Sequence, residues 1–178
     1  GSRHDRVRHR RPDVSATGER PEGPAVTALT VLAPVAGRAM PLAEVPDPVF
    51  STALVGPGVA VDPPRDKPAI AVSPVAGKIV KLHPHAYVVQ TADGAGVLVH
   101  LGIDTVQLAG EGFELMATEG AEVAAGEKIV GWDPASVEAG GRSPVCPGLA
   151  LDTSAKALSD LRDSGELAAG DPLFTWSR

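Results

Sequence analysis

In the stretch Val97-Leu98-Val99-His100-Leu101-Gly102-Ile103-Asp104-Thr105-Val106, an aliphatic run ends in an imidazole, and a glycine follows two places later. Because alternate side chains of a strand point to opposite faces, Val97 and Val99 share one face, and Leu98 and His100 share the other. We therefore expect His100 to end a buried strand, with its ring on a surface lined by apolar side chains. Such an imidazole can be a nucleophile, a base or a metal ligand, or a core histidine bonded to a backbone carbonyl.

A hairpin is predicted immediately upstream of His100. The alternating segments Ala86–Thr91 and Gly96–His100 flank Asp93-Gly94, a dipeptide typical of tight hairpin turns. His85 precedes the first of these strands, so the two imidazoles should meet at one edge of a sheet, where opposed Cβ atoms lie about 5 Å apart. Converging titratable groups indicate a functional site. Two histidines there can bind zinc, or one can take a phosphoryl group while the other bonds its oxygens.

The chain repeats itself. Ala33-Pro34-Val35-Ala36-Gly37 returns as Ser73-Pro74-Val75-Ala76-Gly77, and the turn at residues 119–126 returns, slightly shortened, at residues 164–170. Each copy of the second motif leads into an apolar strand that ends near a tryptophan. Two copies are too few for a solenoid, so we predict an all-β fold, an internally duplicated antiparallel sandwich or barrel.

Helix is predicted at two places only. In Ser154–Arg162, apolar residues fall three apart and Gly165 offers a stop. Pro134–Glu138 can form a single turn. The 20 glycines and 17 prolines punctuate the rest of the chain into short strands.

Composition narrows the class of protein. A net charge of −6 argues against a nucleic-acid partner, and the lone Cys146 suits a reducing compartment. No apolar run approaches the roughly 20 residues of a membrane span, and no signal peptide is evident. The sequence indicates a soluble cytoplasmic protein with one domain over residues 26–178.

Residues 1–25 form a predicted disordered tail. Gly1-Ser2 resembles the remnant of a cleaved tag, Arg3–Arg11 is strongly basic, and almost no apolar residue follows. Such a segment buries too little apolar surface to offset the entropy of ordering. It can be a tether or a contact with an anionic membrane surface, but a solvated tail is favoured, since the basic cluster lacks an apolar face.

The sequence resembles a known family at several points in the correct order. His100–Val106, followed by Gly110-Glu111-Gly112-Phe113, is similar to the signature of the glucose-type enzyme IIA of the bacterial sugar phosphotransferase system. Further similarities lie at residues 33–37, 45–50, 56–60, 85–86 and 119–126. The resemblance covers about residues 31–176, nearly all of the predicted domain.

The resemblance implies a phosphohistidine carrier. His100 would accept phosphate from the phosphocarrier HPr and pass it to a cysteine of a transporter IIB domain at the inner face of the membrane. His85 would bond the phosphoryl group and stabilise the transition state. Asp47 and Asp104 would flank the site and meet an arginine of the donor. The apolar rim on which partners dock would comprise Val49, Phe50, Leu54 and Val55.

The same resemblance leaves further partners open. No cofactor is required for phosphoryl carriage, but in this family the two histidines, here His85 and His100, can share a zinc ion with a carboxylate of a partner. Regulatory protein targets are also conceivable. The transporter, rather than this domain, would select the sugar.

One departure from the family concerns the approach to His85. The family reaches this histidine through Phe-x-Thr-x-His, whereas Lys81-Leu82-His83-Pro84-His85 is about two residues shorter and has His83 where threonine is expected. Either His83 replaces the hydrogen bond of the hydroxyl, or the site tolerates its absence. We predict that His83→Ala slows phosphotransfer less than His85→Ala does.

Two alternative classes share features with this sequence. His83-Pro84-His85 looks like the His-x-His ligands of lysostaphin-type zinc peptidases, and His100 with Asp104 resembles their His-x-x-x-Asp, but the two motifs occur in reversed order. A biotinyl or lipoyl carrier has similar turns but needs a lysine on a tight hairpin, in a Met-Lys-Met or Asp-Lys-Ala setting. Neither setting is present.

Overall fold

A computed structural model describes residues 27–178. Its strands are β1 Ala28–Leu32, β2 Gly37–Pro41, β3 Gly58–Asp62, β4 Ala69–Val72, β5 Gly77–His83, β6 Ala86–Gln90, β7 Gly96–His100, β8 Phe113–Leu115, β9 Glu122–Val123, β10 Lys128–Trp132, β11 Cys146–Ala150, β12 Leu158–Ser159, β13 Glu166–Leu167 and β14 Pro172–Ser177. Its α-helices are α1 Pro48–Ser51 and α2 Pro134–Ala139. The predicted tail and tag remnant lie outside the described residues.

The strands form three antiparallel sheets. The largest has the order β13-β2-β3-β11-β7-β6-β5-β9, and two three-stranded sheets have the orders β1-β14-β12 and β4-β10-β8. The predicted all-β class is therefore confirmed. Within residues 27–178, no helix is long and apolar enough to cross a membrane.

The duplication predicted from the repeats is visible in matched hydrogen bonds between the copies. The first Pro-Val-Ala-Gly turn connects β1 to β2, and the second connects β4 to β5. Equivalent backbone bonds run from Leu32 N to Pro74 O (2.9 Å), Val72 N to Pro34 O (2.8 Å), Gly170 N to Ala33 O (2.9 Å) and Gly126 N to Ser73 O (2.8 Å). The two halves thus interlock, each contributing turns that satisfy the backbone groups of the other.

The core follows from strand alternation. In β7, Val97 and Val99 are fully buried, as predicted, and belong to the main hydrophobic cluster. Leu98 faces the other way and packs on a second, smaller cluster, made of Leu42, Val45, Phe50, Ala60, Ile103, Val145 and Leu149. This second cluster underlies the end of β7, so the apolar surface expected around His100 is present.

The helix predicted at Ser154–Arg162 is wrong. Only Ala155–Ala157 makes a 3-10 turn, and Leu158–Ser159 then pairs with β14. Asp160 has a positive φ of 51°, which breaks any helix at that point. The apolar spacing at this segment serves an edge strand packed on Trp176 of β14, so tertiary pairing overrides the helical pattern. The predicted turn at Pro134–Glu138 is confirmed as α2, which Asp133 caps by accepting a hydrogen bond from Ala135 N (3.1 Å).

Several elements, β2 among them, were not predicted. β11 contains Pro147 and Gly148, residues that suggest a turn, yet all five of its residues are buried between β3 and β7. A Cβ on Gly148 would lie 3.2 Å from Leu173 Cδ2, so close packing favours a glycine there. Helix α1, over Pro48–Ser51, was not predicted either.

Candidate functional site

The β6–β7 hairpin brings His85 and His100 together. Ala86 lies opposite His100 in the register, and Leu101 N donates to His85 O at 2.7 Å just beyond this pair. The two imidazole centroids are 5.2 Å apart, with the rings inclined at 68°. The pairing of these two imidazoles at one sheet edge, predicted from the Asp93-Gly94 turn, is thus present in the structure.

The tautomer of His100 is fixed by the backbone that follows it. His100 Nδ1 lies 2.5 Å from Gly102 O. Because a carbonyl oxygen can only accept, Nδ1 carries the proton and Nε2 keeps a free lone pair. The carbonyl reaches this place because Gly102 has a φ of +81°, and a Cβ there would lie 2.7 Å from Thr105 Cγ2. Buried Thr105 donates its hydroxyl to Leu101 O at 2.8 Å and so holds the same loop.

Both histidines are neutral at neutral pH. Burial lowers the pKa of His100, against the opposing effects of the Gly102 carbonyl and the carboxylates of Asp47 and Asp104. Burial, followed by the neighbouring imidazoles of His100 and His83, lowers the pKa of His85 to about 4. The site therefore offers one nucleophilic nitrogen beside a second uncharged imidazole, a pairing suited to receiving an anionic group.

Phe50 lies beneath His100 rather than at the rim. Its ring centroid is 5.2 Å from that of His100, and only 8% of its surface is exposed. Helix α1 holds it there, since Asp47 accepts a hydrogen bond from Val49 N at 2.8 Å and Pro48 starts the first turn. As a result, Phe50 has little surface to offer a partner and forms part of the floor of the site.

Exposed apolar side chains belong to the segments next to the two histidines. Val49 is 42% exposed and Leu54 is 77% exposed, while Val55 is half-buried against the second cluster. Val106 is 60% exposed and was not among the predicted rim residues. The signal available in the sequence was its place two residues after Asp104, at the end of the His100–Val106 motif.

His83 stacks on His85. The two ring centroids are 5.7 Å apart and the rings are inclined at 25°. No hydrogen bond joins the His83 side chain to another of residues 27–178, so the structure shows a ring contact with His85 and no bond that would replace that of the family's threonine.

The donor set for a metal is incomplete within the described part of the chain. Residues 27–178 contain no group of three or more His, Cys, Asp or Glu side chains placed to hold a metal ion. Zinc in proteins takes three or four such ligands. His85 and His100 alone would supply two, with the remainder coming from elsewhere.

The fold is antiparallel and internally duplicated, and it presents two apposed imidazoles beside exposed apolar residues. Comparisons with known proteins identify the family that has this fold. The model of the EIIA 1 family of the phosphoenolpyruvate-dependent sugar phosphotransferase system matches residues 29–155. The glucose permease IIA from Mycoplasma capricolum superimposes with a TM-score of 0.76 and 37% identity, covering 84% of this chain and 96% of that one.

Curated relatives agree. The glucose-specific EIIA component of Bacillus cereus is 38% identical over 128 residues, which are 71% of this chain and 76% of that protein. The N-acetylglucosamine-specific EIICBA component of Escherichia coli is 39% identical over 153 residues, which are 84% of this chain and 23% of that protein. The chain thus spans about a quarter of this larger relative.

The chain belongs to the EIIA 1 family of the sugar phosphotransferase system. The predicted family and the predicted role as a component of this system are confirmed. The zinc-peptidase alternative is not supported, because the family match and the relatives point to sugar phosphotransfer.

Proposed function

We propose that this chain carries a phosphoryl group on His100, taken from the phosphohistidine of HPr and passed to a cysteine of a transporter IIB domain. The observation that carries the proposal is the hydrogen bond from His100 Nδ1 to Gly102 O. It leaves Nε2 as the free nucleophile, next to a second neutral imidazole.

The proposed step exchanges one phosphorus–nitrogen bond for another. The lone pair of His100 Nε2 attacks phosphorus as the bond to the donor histidine breaks, and the donor imidazole leaves with the bonding pair. The Nδ1 proton stays on His100, where the Gly102 carbonyl stabilises the positive charge that develops on the ring. Transfer to a cysteine thiolate reverses these roles at His100, so the carrier returns unchanged.

His85 acts on the charge of the transferring group. Its neutral ring carries one N–H, which donates to a phosphoryl oxygen as charge spreads over the three equatorial oxygens. A pKa of about 4 keeps this ring uncharged between transfers. The unphosphorylated site therefore receives the phosphoryl group with an uncharged hydrogen-bond donor at His85.

Docking rests on the exposed rim and two carboxylates. Val49, Leu54 and Val106 offer apolar area, while Asp47 and Asp104 act on His100 electrostatically and suit a donor that carries an arginine. We therefore expect the chain to work in the cytoplasm and to meet the transporter at the inner face of the membrane. The sugar is then chosen by the transporter; relatives of this chain are named for glucose and for N-acetylglucosamine.

Zinc binding is proposed only at a partner interface. The nitrogens of His85 and His100 fit zinc chemically, but a partner carboxylate is needed to complete the ligand set. We expect the isolated chain to bind zinc weakly, and phosphoryl transfer to proceed without it.

Intact-mass spectrometry at alkaline pH tests the proposal. The chain is incubated with phosphoenolpyruvate, enzyme I and HPr, alongside His100→Ala and His85→Ala variants. One acid-labile phosphoryl group should appear on the wild type and be absent from His100→Ala, and His85→Ala should acquire it slowly. No mass change in a folded wild type with active donors, or a phosphorylated His100→Ala, would contradict the assignment.

A further inference from the structure

We propose that His83 and Pro84 are positioning residues for His85, holding its imidazole beside His100 by ring stacking and turn rigidity. This inference rests on the proposed function, since it concerns the histidine that meets the phosphoryl group. It assigns a physical role to the shortened segment before His85, where the sequence left two explanations open.

The first step is the turn that carries His85. His83 of β5 pairs with Ala86 of β6, so Pro84 and His85 alone form the connection between the strands. The pyrrolidine ring fixes the φ angle of Pro84, and the residue before a proline is confined to extended conformations. Below the turn, Leu82 pairs with Tyr87, whose buried hydroxyl donates to Val72 O at 2.7 Å. The base of the hairpin is therefore anchored in the core.

The second step is the surroundings of the His85 ring. It lies between two other imidazoles, with His83 stacked at 5.7 Å and 25°, and His100 meeting it edge-on at 5.2 Å and 68°. No hydrogen bond joins the His85 side chain to another residue in the range 27–178. With no such bond to orient it, the ring has these two aromatic contacts to hold it in place.

The third step is a contact that ties the two histidine-bearing segments together. A Cβ built on Gly110 would lie 3.2 Å from Pro84 Cγ, so the proline ring packs directly against the backbone of the loop that follows His100. Gly110 has a φ of +88°, which a glycine adopts without strain. On the other side, Glu119 Oε1 accepts a hydrogen bond from Leu82 N at 2.9 Å and fixes the end of β5.

Among the residues that make these contacts, His83 is the one that can be substituted without disturbing the turn. Its side chain is exposed, so removing it should leave the fold intact while freeing one face of the His85 ring. A positioned group can lose up to about 100-fold in rate when displaced by about 1 Å. A flat aromatic side chain that stacks equally well should preserve the position without any ring nitrogen.

The test compares His83→Ala and His83→Phe, with Lys78→Ala as an exposed control at the far end of the same strand. The maximal rate of phosphoryl transfer from HPr should fall about five- to twentyfold in His83→Ala with KM little changed, within the loss that mispositioning can cause. The His83→Phe and Lys78→Ala variants should stay within about twofold of the wild type. A wild-type rate in His83→Ala, or equal losses in the Ala and Phe variants, would overturn the proposal.

An NMR measurement on the unphosphorylated chain separates this inference from the proposed function. Nuclear Overhauser contacts between the rings of His85 and His100 should weaken in His83→Ala and persist in His83→Phe. If the wild type accepted no phosphate, the carrier function would fail, yet these contacts would still decide whether His83 positions His85. Unaltered contacts in His83→Ala would overturn the positioning role whatever the transfer rates.

Discussion

Replacing Gly102 by alanine tests the link between backbone geometry and the reactive nitrogen of His100. Gly102 has a φ of +81°, and a Cβ would lie 2.7 Å from Thr105 Cγ2 and 3.0 Å from Ser143 O. A left-handed alanine costs about 1–2 kcal/mol. Crowding against a fully buried neighbour adds about 1–3 kcal/mol. We therefore expect Gly102→Ala to lower the free energy of unfolding by about 2–5 kcal/mol.

Gly94→Ala provides the matched control. Gly94 has a φ of +92° in the hairpin turn, but a Cβ there would meet nothing within 4 Å. Gly94→Ala should therefore lower the free energy of unfolding only by the conformational strain, about 1–2 kcal/mol. At about 2–4 °C per kcal/mol for a chain of this size, Tm should fall by about 4–20 °C in Gly102→Ala and by about 2–8 °C in Gly94→Ala.

Urea unfolding and the phosphorylation assay together decide the result. Because a displaced Gly102 carbonyl no longer fixes the proton on His100 Nδ1, Gly102→Ala should also accept phosphate more slowly, while folded Gly94→Ala should match the wild type. Equal destabilisation by the two substitutions would refute the packing argument. A wild-type rate of phosphorylation in folded Gly102→Ala would refute the proposed control of the tautomer.

Three further predictions follow from the same geometry. The pKa of His85 is about 4 in the folded chain, whereas the ordinary value is 6.5. Between pH 4 and pH 6.5 the unfolded chain therefore binds more protons than the folded chain, so the free energy of unfolding should fall as the pH drops from about 6.5 towards 4. Urea titrations at several pH values should show a shallower fall in His85→Gln, and an unchanged slope would contradict the pKa. Leu54→Asp should raise KM for HPr about five- to tenfold without lowering Tm, whereas the exposed Leu161, outside the rim, should tolerate the same change. Gly37→Ala and Gly77→Ala each place a Cβ 2.2 Å from a carbonyl oxygen, so both should lower Tm in thermal melts. Gly37→Ala should lower it more, because its φ of +152° adds backbone strain, and an unchanged Tm in either variant would argue against equivalent roles in the two repeats.

Local patterns predicted the part of the site that lies on one hairpin. The alternation in Val97–His100 and the turn at Asp93-Gly94 fix the register of β6 and β7. That register alone brings His85 next to His100. The repeated Pro-Val-Ala-Gly turns likewise predicted the duplication, because each turn must end one strand and begin the next.

Contacts between distant segments were not predictable in this way. Phe50 reaches His100 only because α1 folds onto the second cluster, and β11 enters the large sheet from far along the chain. A Cβ on Gly58 would lie 1.9 Å from Gly148 O, so the close pairing of β3 with β11 needs a glycine at position 58, which in the sequence suggests a turn. Nothing near either glycine in the sequence specifies the other.

The sequence by itself determined the β6–β7 hairpin, the duplication and the meeting of two histidines, because side-chain alternation and turn chemistry act over a few residues. The tertiary structure decided which apolar residues near His100 are buried and which are exposed: Phe50 is buried and Val106 is exposed. It also stacked the ring of His83 beside that of His85, with centroids 5.7 Å apart, and placed the Gly102 carbonyl on His100 Nδ1. These outcomes depend on the packing of segments that are distant along the chain, and such packing is settled only when the whole core closes.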